Sequence, residues 1–375
     1  MNKQRPLTIK DPLYQQIEIP RELQEIIDSK PFQRLRYIKQ LSFSDFTYPN
    51  ANHTRFSHSL GAFHLMKKLT DNLEEEIDKE NREALCQAAL LHDIAHGPFS
   101  HLWERVFPHF DHEENAQAII KGMGFERAAQ ILRGDSNYYP LISSTLDVDK
   151  MDYMTRDSYF CGVNYGFVEV DYILKRMSIK DNKLVIKPSA ISSVEDVITQ
   201  RINLFKTVYY HKINIERDAI FIGIFERVKD LLEEGSKVPM NKHIKSFFTK
   251  KNTMWDLLEL TDFKVLAQIQ RWQSHRDSIL KDLCHRFLER KCLDVVNVEH
   301  KQVNVLELKK QVEESYDTRY YFREIKSKIK LLQTPIYVEY EDGLKLLEEV
   351  SPLIKFYASQ KWELHHVIFP DGMLK

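Results

Sequence analysis

A mainly α-helical protein, with one small β-hairpin and a smaller α+β region toward the C-terminus, is the fold class this sequence predicts. Three observations point to it. Glycine supplies only 11 of the 375 residues, while long stretches are written in Leu, Ile, Glu, Lys and Gln, which lose little side-chain freedom in a helix. Apolar residues recur at helical spacing through most of the chain up to about residue 235. Beyond that point the character changes: charge-rich helices run to about Arg290, and LDVVNV, PIYVEY and ELHHVIF then read as strands. A chain of 375 residues exceeds what one hydrophobic core usually sustains. We therefore expect a helical region over 1–235 and an accessory or oligomerisation region over 236–375.

The elements follow in order. From Pro20 to Leu41 the pattern is helical, RELQEIIDS then PFQRLRYIKQL, with Pro31 suited to a first turn. Residues 42–54 read as a loop. A second helix is predicted from about Phe56 to Asp78, with Leu60, Phe63, Leu65, Met66 and Leu69 on its buried face. ALCQAALLHDIAH is apolar nearly all round, as a central helix should be, and Gly97-Pro98 stops it. Residues 113–133 and 145–160 predict further helices. RMSIKDNKLVIKP alternates about Asp181-Asn182, the pattern of a β-hairpin. A long helix follows from about Ser193 to Leu232, and LKLLEEVSPLIKFYAS reads as a helix interrupted by Pro352.

Composition narrows the function classes. A hydrophobic share of 43% and a charged share of 29% describe an ordinary globular chain. The net charge of -1 gives no global footprint for nucleic acid or an anionic membrane, so nucleic acid as a partner has no support here. An anionic substrate must be met by a local cluster of positive groups. Cys86, Cys161, Cys284 and Cys292 are far apart and lack C-x-x-C spacing, so they read as reduced thiols. No N-terminal apolar segment and no run of about 18 apolar residues occurs. The expected location is cytoplasmic, with no membrane contact.

Eight of the 15 histidines fall between His53 and His112. Within LLHDIAHGPFSH, His92 and Asp93 are neighbours in what is predicted to be a buried helix, with His96 one turn on. Burying an ionised carboxylate costs several kcal/mol unless it is paired or bound to a cation, and imidazole with carboxylate suits a divalent metal. HTRFSHSLG adds Arg55 and His58, three apart and so on one helix face. In SSTLDVDKMDYMTRD, Asp149, Tyr153 and Asp157 form a stripe at successive i+4 steps, flanked by Lys150 and Asp152.

A His, then His-Asp, then Asp in this order is the pattern of the HD phosphohydrolase superfamily. The run FQRLRYIKQL…HTRFSHSLG…LLHDIAHGPFSH…DVDKMDY…RD resembles the deoxynucleoside triphosphate triphosphohydrolases related to the sterile-alpha-motif/HD-domain enzymes, over roughly residues 10–235. The resemblance implies an HD-domain helical core and a divalent metal (Fe, Mn, Zn, Ni or Co) held by His58, His92, Asp93 and Asp149. It implies an acid/base group of His96, Glu104 and His112, with Glu104 one methylene longer than the Asp of the eukaryotic relatives. Arg55, His101 and Lys150 resemble contacts to a triphosphate that also carries Mg. Tyr153 and Asp157 resemble residues on the sugar, Arg201 and Tyr209 complete the phosphate pocket, and Gln40 and Leu41 fall where sugar and base are contacted. Gln33 and Arg36 fall where an activating nucleotide binds in the eukaryotic enzymes.

The implied reaction is attack at the α-phosphorus of a dNTP, releasing deoxynucleoside and inorganic triphosphate, in a dimer or tetramer. Two other functions stay open on the residues alone: an HD hydrolase of another nucleotide or nucleic-acid phosphate ester, and a nucleotide- or nucleic-acid-binding regulator in antiviral defence. His53 and His64 read as loop and helix histidines without chemistry, and His365-His366 as structural. NKHIKSFFTKK and REIKSKIK read as solvated basic faces.

Overall fold

The computed structural model describes residues 6–301 and 303–374. Helices dominate, as the composition predicts, and the strands gather into three small sheets. The chain opens with an antiparallel hairpin, β1 (Leu7–Asp11) and β2 (Gln15–Ile19), which the sequence reading missed because its alternation spans only a few residues. The helical run expected over Pro20–Leu41 is broken into four short turns ending at Tyr37, and Lys39 instead bridges Thr54. The second helix spans Arg55–Asn72 and packs on the next, Lys79–Leu91.

That central helix stops earlier than expected. Leu91 is its last residue, and Ile94 and His96 donate to Leu91 and Asp93 three residues back in a tight turn. His92 and Asp93 therefore sit at a helix end and not within a helix, and His96 does not follow one helical turn on. The span 113–133 is two helices, His112–Gly122 and Glu126–Leu132, with Gly124 at φ +87° between them. Asp147 caps the Val148–Cys161 helix by accepting the Lys150 amide.

The predicted hairpin is present as β3 (Met177–Lys180) and β4 (Lys183–Ile186), with Asp181 and Asn182 both at positive φ as a type I′ turn requires. The long helix that follows is interrupted. Ile191–Leu204 passes into a π-helical segment, Phe205–Tyr209, before Lys212–Glu233 resumes. Such segments concentrate at functional sites.

Past residue 235 come further helices, including Asp262–Trp272 and Ser278–Glu289, then β5 (Leu293–Asn297), β6 (Arg323–Lys328), β7 (Ile336–Tyr340), β8 (Gly343–Leu346) and β9 (Glu363–Pro370). REIKSK, read as a solvated basic face, forms β6 with every second residue half-buried. Leu344–Leu346, read as helical, belongs to β8, and Pro352 starts a new helix after the Ser351 cap. β5, β9 and β6 form one sheet, and β4 pairs in parallel with β7 to give the order β3-β4-β7-β8. The packing is continuous across residue 235: the Phe43 ring lies 4.6 Å from Phe99 and 5.0 Å from Phe287. One apolar core thus joins the two regions.

Candidate active site

The ends of three elements converge on one cavity of about 600 Å³. The Arg55–Asn72 helix brings His58, the turn after Leu91 brings His92 and Asp93, and the Val148–Cys161 helix brings Asp149. His58 Nε2 lies 3.0 Å from Asp149 Oδ1, 3.2 Å from His92 Nε2 and 3.7 Å from Asp93 Oδ2. His92 Nε2 lies 3.3 Å from Asp93 Oδ1 and 3.5 Å from Asp149 Oδ1. Ligand atoms each about 2.0–2.2 Å from one ion stand roughly 3.0–3.6 Å apart. The spacing, and the mix of imidazole nitrogen with carboxylate oxygen, fit a divalent metal. His58, His92 and Asp149 meet most closely, with Asp93 beside them.

Electrostatics keep the two carboxylates in ligand form. Burial disfavours ionised Asp93, but Arg55 and the His92 and His96 rings hold its carboxyl well below the usual range. Arg55 Nη1 donates to Asp93 Oδ2 at 2.6 Å, and its Nε donates to Ser100 Oγ at 2.7 Å. Asp149 is likewise held low against burial by hydrogen bonds from His58 and His92. Burial lowers the affinity of His58 for a proton, yet Asp149 and Asp152 outweigh it and hold its pKa at about 10. A metal ion bound among these groups would replace that proton.

Beside the metal-type cluster stands a second polar group. The His96 and His112 rings stack at 4.0 Å, and His101 meets His96 edge-on at 4.9 Å. Burial, with Arg55 and His112 nearby, pushes His96 well below the usual histidine range, so its ring is neutral. Glu104 accepts from the His112 ring and, at 2.8 Å, from the His112 amide. Hydrogen bonds from His101 and His112 overcome its burial and keep it ionised. The extra methylene of Glu104 does not prevent the carboxylate–imidazole pair.

Gln40, Leu41, Tyr153, Asp157 and Tyr209 line the remaining wall, with Phe205 of the π-helical segment. Asp157 is buried with both oxygens engaged: His53 Nε2 lies 2.7 Å from one, and the Tyr209 hydroxyl donates to the other at 2.8 Å. Lys150 lines the cavity too, but its ammonium is bound to Asp147 at 2.9 Å. Arg201 stands back from the wall, donating to the Leu331 carbonyl at 3.0 Å and lying over the Phe205 ring. Gln33 and Arg36 are joined to each other at 2.8 Å on the outer surface, with the Arg36 guanidinium over Phe56. Arg34 is buried, and Lys39 pairs with Asp45.

Four contributors escaped the sequence reading. His53, read as free of chemistry, orients Asp157 and stacks on Phe160. Asp152 stands behind His58; its place in DVDKMDY, one turn from Asp149, was the available signal. Ser100 bridges Arg55 to the Lys39 carbonyl. Gln333 reaches the cavity from beyond residue 235, fixed where Gln333 and Thr334 donate their amides to Thr145 Oγ1, each at 2.8 Å. No local pattern marks Gln333, because its placement depends on β7 pairing with β4.

The chain is similar to several known proteins. Residues 55–157 match the family model described as the HD domain. The chain is 36% identical over 312 residues to the uncharacterized protein YwfO of Bacillus subtilis, covering 76% of this chain and 71% of that protein. It is 28% identical over 281 residues to the deoxynucleoside triphosphate triphosphohydrolase SAMHD1 of Homo sapiens, 60% of this chain and 45% of that one. A crystal structure of a phosphohydrolase from Bacteroides thetaiotaomicron superimposes with a TM-score of 0.88 at 28% identity, covering 97% of this chain and all of the other. The chain belongs to the HD-domain phosphohydrolases. Among the described residues, no helix is long and apolar enough to cross a membrane.

Proposed function

We propose that this protein is a metal-dependent dNTP triphosphohydrolase, releasing deoxynucleoside and inorganic triphosphate. The observation that carries the reading is the pairing, in one cavity, of a metal-type cluster with a separate carboxylate. Asp157 lies two helical turns from Asp149, with Tyr153 between them. The cavity volume falls within the range typical of small-ligand sites. Its lining offers cationic side chains beside the metal-type cluster and a hydroxyl acceptor two helical turns off, as a nucleotide needs.

In this reading His58, His92, Asp93 and Asp149 would hold Fe, Mn, Zn, Ni or Co, which when bound would supply an activated water and polarise a phosphoryl oxygen. Neutral His96 and the Glu104-buttressed His112 move the proton to the departing oxygen. Arg55 and His101 face the phosphates with Mg, and Lys150 joins them if substrate draws it from Asp147. Asp157, oriented by His53 and Tyr209, accepts the sugar hydroxyl, and Tyr153 packs against the ring. Gln40 and Leu41 border the base. Arg201 supports the wall through Phe205 and Leu331. A cytoplasmic homo-oligomer, with an activating nucleotide near Gln33 and Arg36, extends the same reading.

The experiment is hydrolysis by metal-loaded protein of each dNTP and NTP, alone and mixed, with products resolved. Free triphosphate is the expected product. Release of pyrophosphate or orthophosphate alone would place the enzyme elsewhere among HD hydrolases of phosphate esters.

A further inference from the structure

We propose that Asp262 is a positioning residue for the active-site cavity. Reaching in from beyond residue 235, its carboxylate ties the backbone amides of Lys39 and Phe99 and so fixes the two loops that present Gln40, Leu41 and His101. The proposal rests on this cavity being where substrate binds.

Asp262 is the first residue of the Asp262–Trp272 helix and is 2% exposed. Its Oδ2 accepts from Lys39 N at 2.8 Å and its Oδ1 from Phe99 N at 2.7 Å. These partners are 60 residues apart in sequence, and each lies one or two positions before a cavity residue. The loops are also sewn to one another: Ser100 Oγ donates to the Lys39 carbonyl at 3.0 Å and Ser42 Oγ to the Phe99 carbonyl at 2.9 Å. Ser42, Phe99 and Ser100 hold φ values of +43°, +57° and +58°. Non-glycine residues take up such conformations only when their surroundings over-determine them. Ser100 in turn receives Arg55, the partner of Asp93.

Both acceptor oxygens are used, which an ionised carboxylate supplies and an amide or a protonated acid does not. Burial works against that charge, and local groups offset it in part. Asp262 sits at a helix N-terminus, where anions are favoured, and the Arg34 and Lys39 charges act on it. Arg34 is anchored through Nε to the Leu260 carbonyl at 2.7 Å.

A purely structural role and a positioning role differ in what they change. The test compares wild type with Asp262→Asn, which keeps one acceptor oxygen, and Asp262→Ala, which keeps none. Amide exchange at Lys39 and Phe99, manganese content, and kcat and KM on bis(p-nitrophenyl) phosphate and on dATP are measured. We expect undiminished manganese, faster exchange at both amides in Asp262→Ala, and KM raised about tenfold with kcat changed far less. Asp262→Asn should fall between the two, and it carries the comparison if Asp262→Ala does not fold. Unchanged exchange at both amides, or a drop in thermal stability with KM unchanged, overturns the proposal. If wild type leaves dATP intact, the dNTP reading fails while amide exchange and the diester KM still decide the role of Asp262.

Discussion

Asp152 lies 2.8 Å from Nδ1 of His58, while Asp149 lies 3.0 Å from Nε2 of the same ring. The two carboxylates thus grip opposite nitrogens, so the ring orientation is fixed before any metal arrives. Asp152 is itself held on both oxygens by Arg156, at 2.9 Å each, and receives the Tyr14 hydroxyl at 2.8 Å. Arg156 also donates to Asp11 at 2.8 Å. Through this buried chain the hairpin of β1 and β2 supports a candidate metal ligand.

Carboxylates behind a ligating histidine typically contribute 10–100-fold to metal affinity. Asp152→Asn keeps an acceptor for His58 but loses its charge, so manganese affinity should fall by about tenfold. The variant should also be less stable by a few kcal/mol, because the buried Arg156 keeps only Asp11 as a charged partner. Metal retention in chelator-buffered dialysis reads the first effect and urea unfolding the second. Wild-type metal retention would show that Asp152 does not orient His58.

Gly61 lies on the Arg55–Asn72 helix directly against this network. A Cβ there would stand 1.8 Å from Asp152 Oδ1 and 2.4 Å from Arg156 Nη2. Neither atom can yield without breaking a bidentate pair. Gly61→Ala, ordinarily favourable in a helix by roughly 1 kcal/mol, should instead destabilise by at least about 3 kcal/mol, at the upper end of overpacking costs. Thermal unfolding of the apo protein would check it, and a melting temperature equal to wild type would contradict the crowding.

How much of this was legible follows from the range of each interaction. His92 and Asp93 stood out because a carboxylate among apolar residues announces its own cost, His58 and Asp149 because a His, then His-Asp, then Asp follows the order of a known superfamily, and the hairpin at Asp181-Asn182 because turn chemistry is local. The end of the Lys79–Leu91 helix was misjudged because apolar periodicity continues through Ile94 and Ala95, which are buried in a turn. Asp262 and Gln333 were invisible, since what makes them matter is contact with residues more than 160 positions away. Lys150 and Arg201 were expected, by resemblance, at the phosphates, but their partners, Asp147 and the Leu331 carbonyl, decide how available they are.

His53 supplies one of the two groups that orient Asp157, so its removal should loosen the sugar end of the cavity and leave the metal cluster intact. On the dNTP reading, His53→Ala should raise KM for dATP by about tenfold, the equivalent of one hydrogen bond to a charged group. It should also narrow the difference in kcat/KM between dATP and ATP. Manganese content should be unchanged. Steady-state kinetics on the two nucleotides would check this, and an unaltered preference would remove His53 from the specificity argument.

Asp262 gives the clearest pH dependence; the charged groups facing it are Lys39 and Arg34. Lys39 also pairs with Asp45 at 2.7 Å. Burial raises the Asp262 pKa from 3.8 to about 6, against the pull of the Lys39 and Phe99 amides and the Lys39 and Arg34 charges. A carboxyl with a raised folded pKa binds its proton more tightly when folded. Its contribution to stability is therefore fully present below about pH 4 and is lost as pH rises through about 6. The whole span is worth about 3 kcal/mol, of which roughly 1 kcal/mol falls between pH 5 and 7. Asp262→Asn does not titrate, so urea unfolding at these two pH values should show wild type losing that roughly 1 kcal/mol relative to the variant. Activity should run the other way, because only the ionised carboxylate accepts both amides. The kcat/KM of wild type on bis(p-nitrophenyl) phosphate should fall below about pH 6 more steeply than that of Asp262→Asn. Parallel profiles for the two proteins would mean that the Asp262 proton has no part in holding the loops. Opposed slopes of stability and activity would show a buried charge kept at a cost in stability because it places Gln40 and His101.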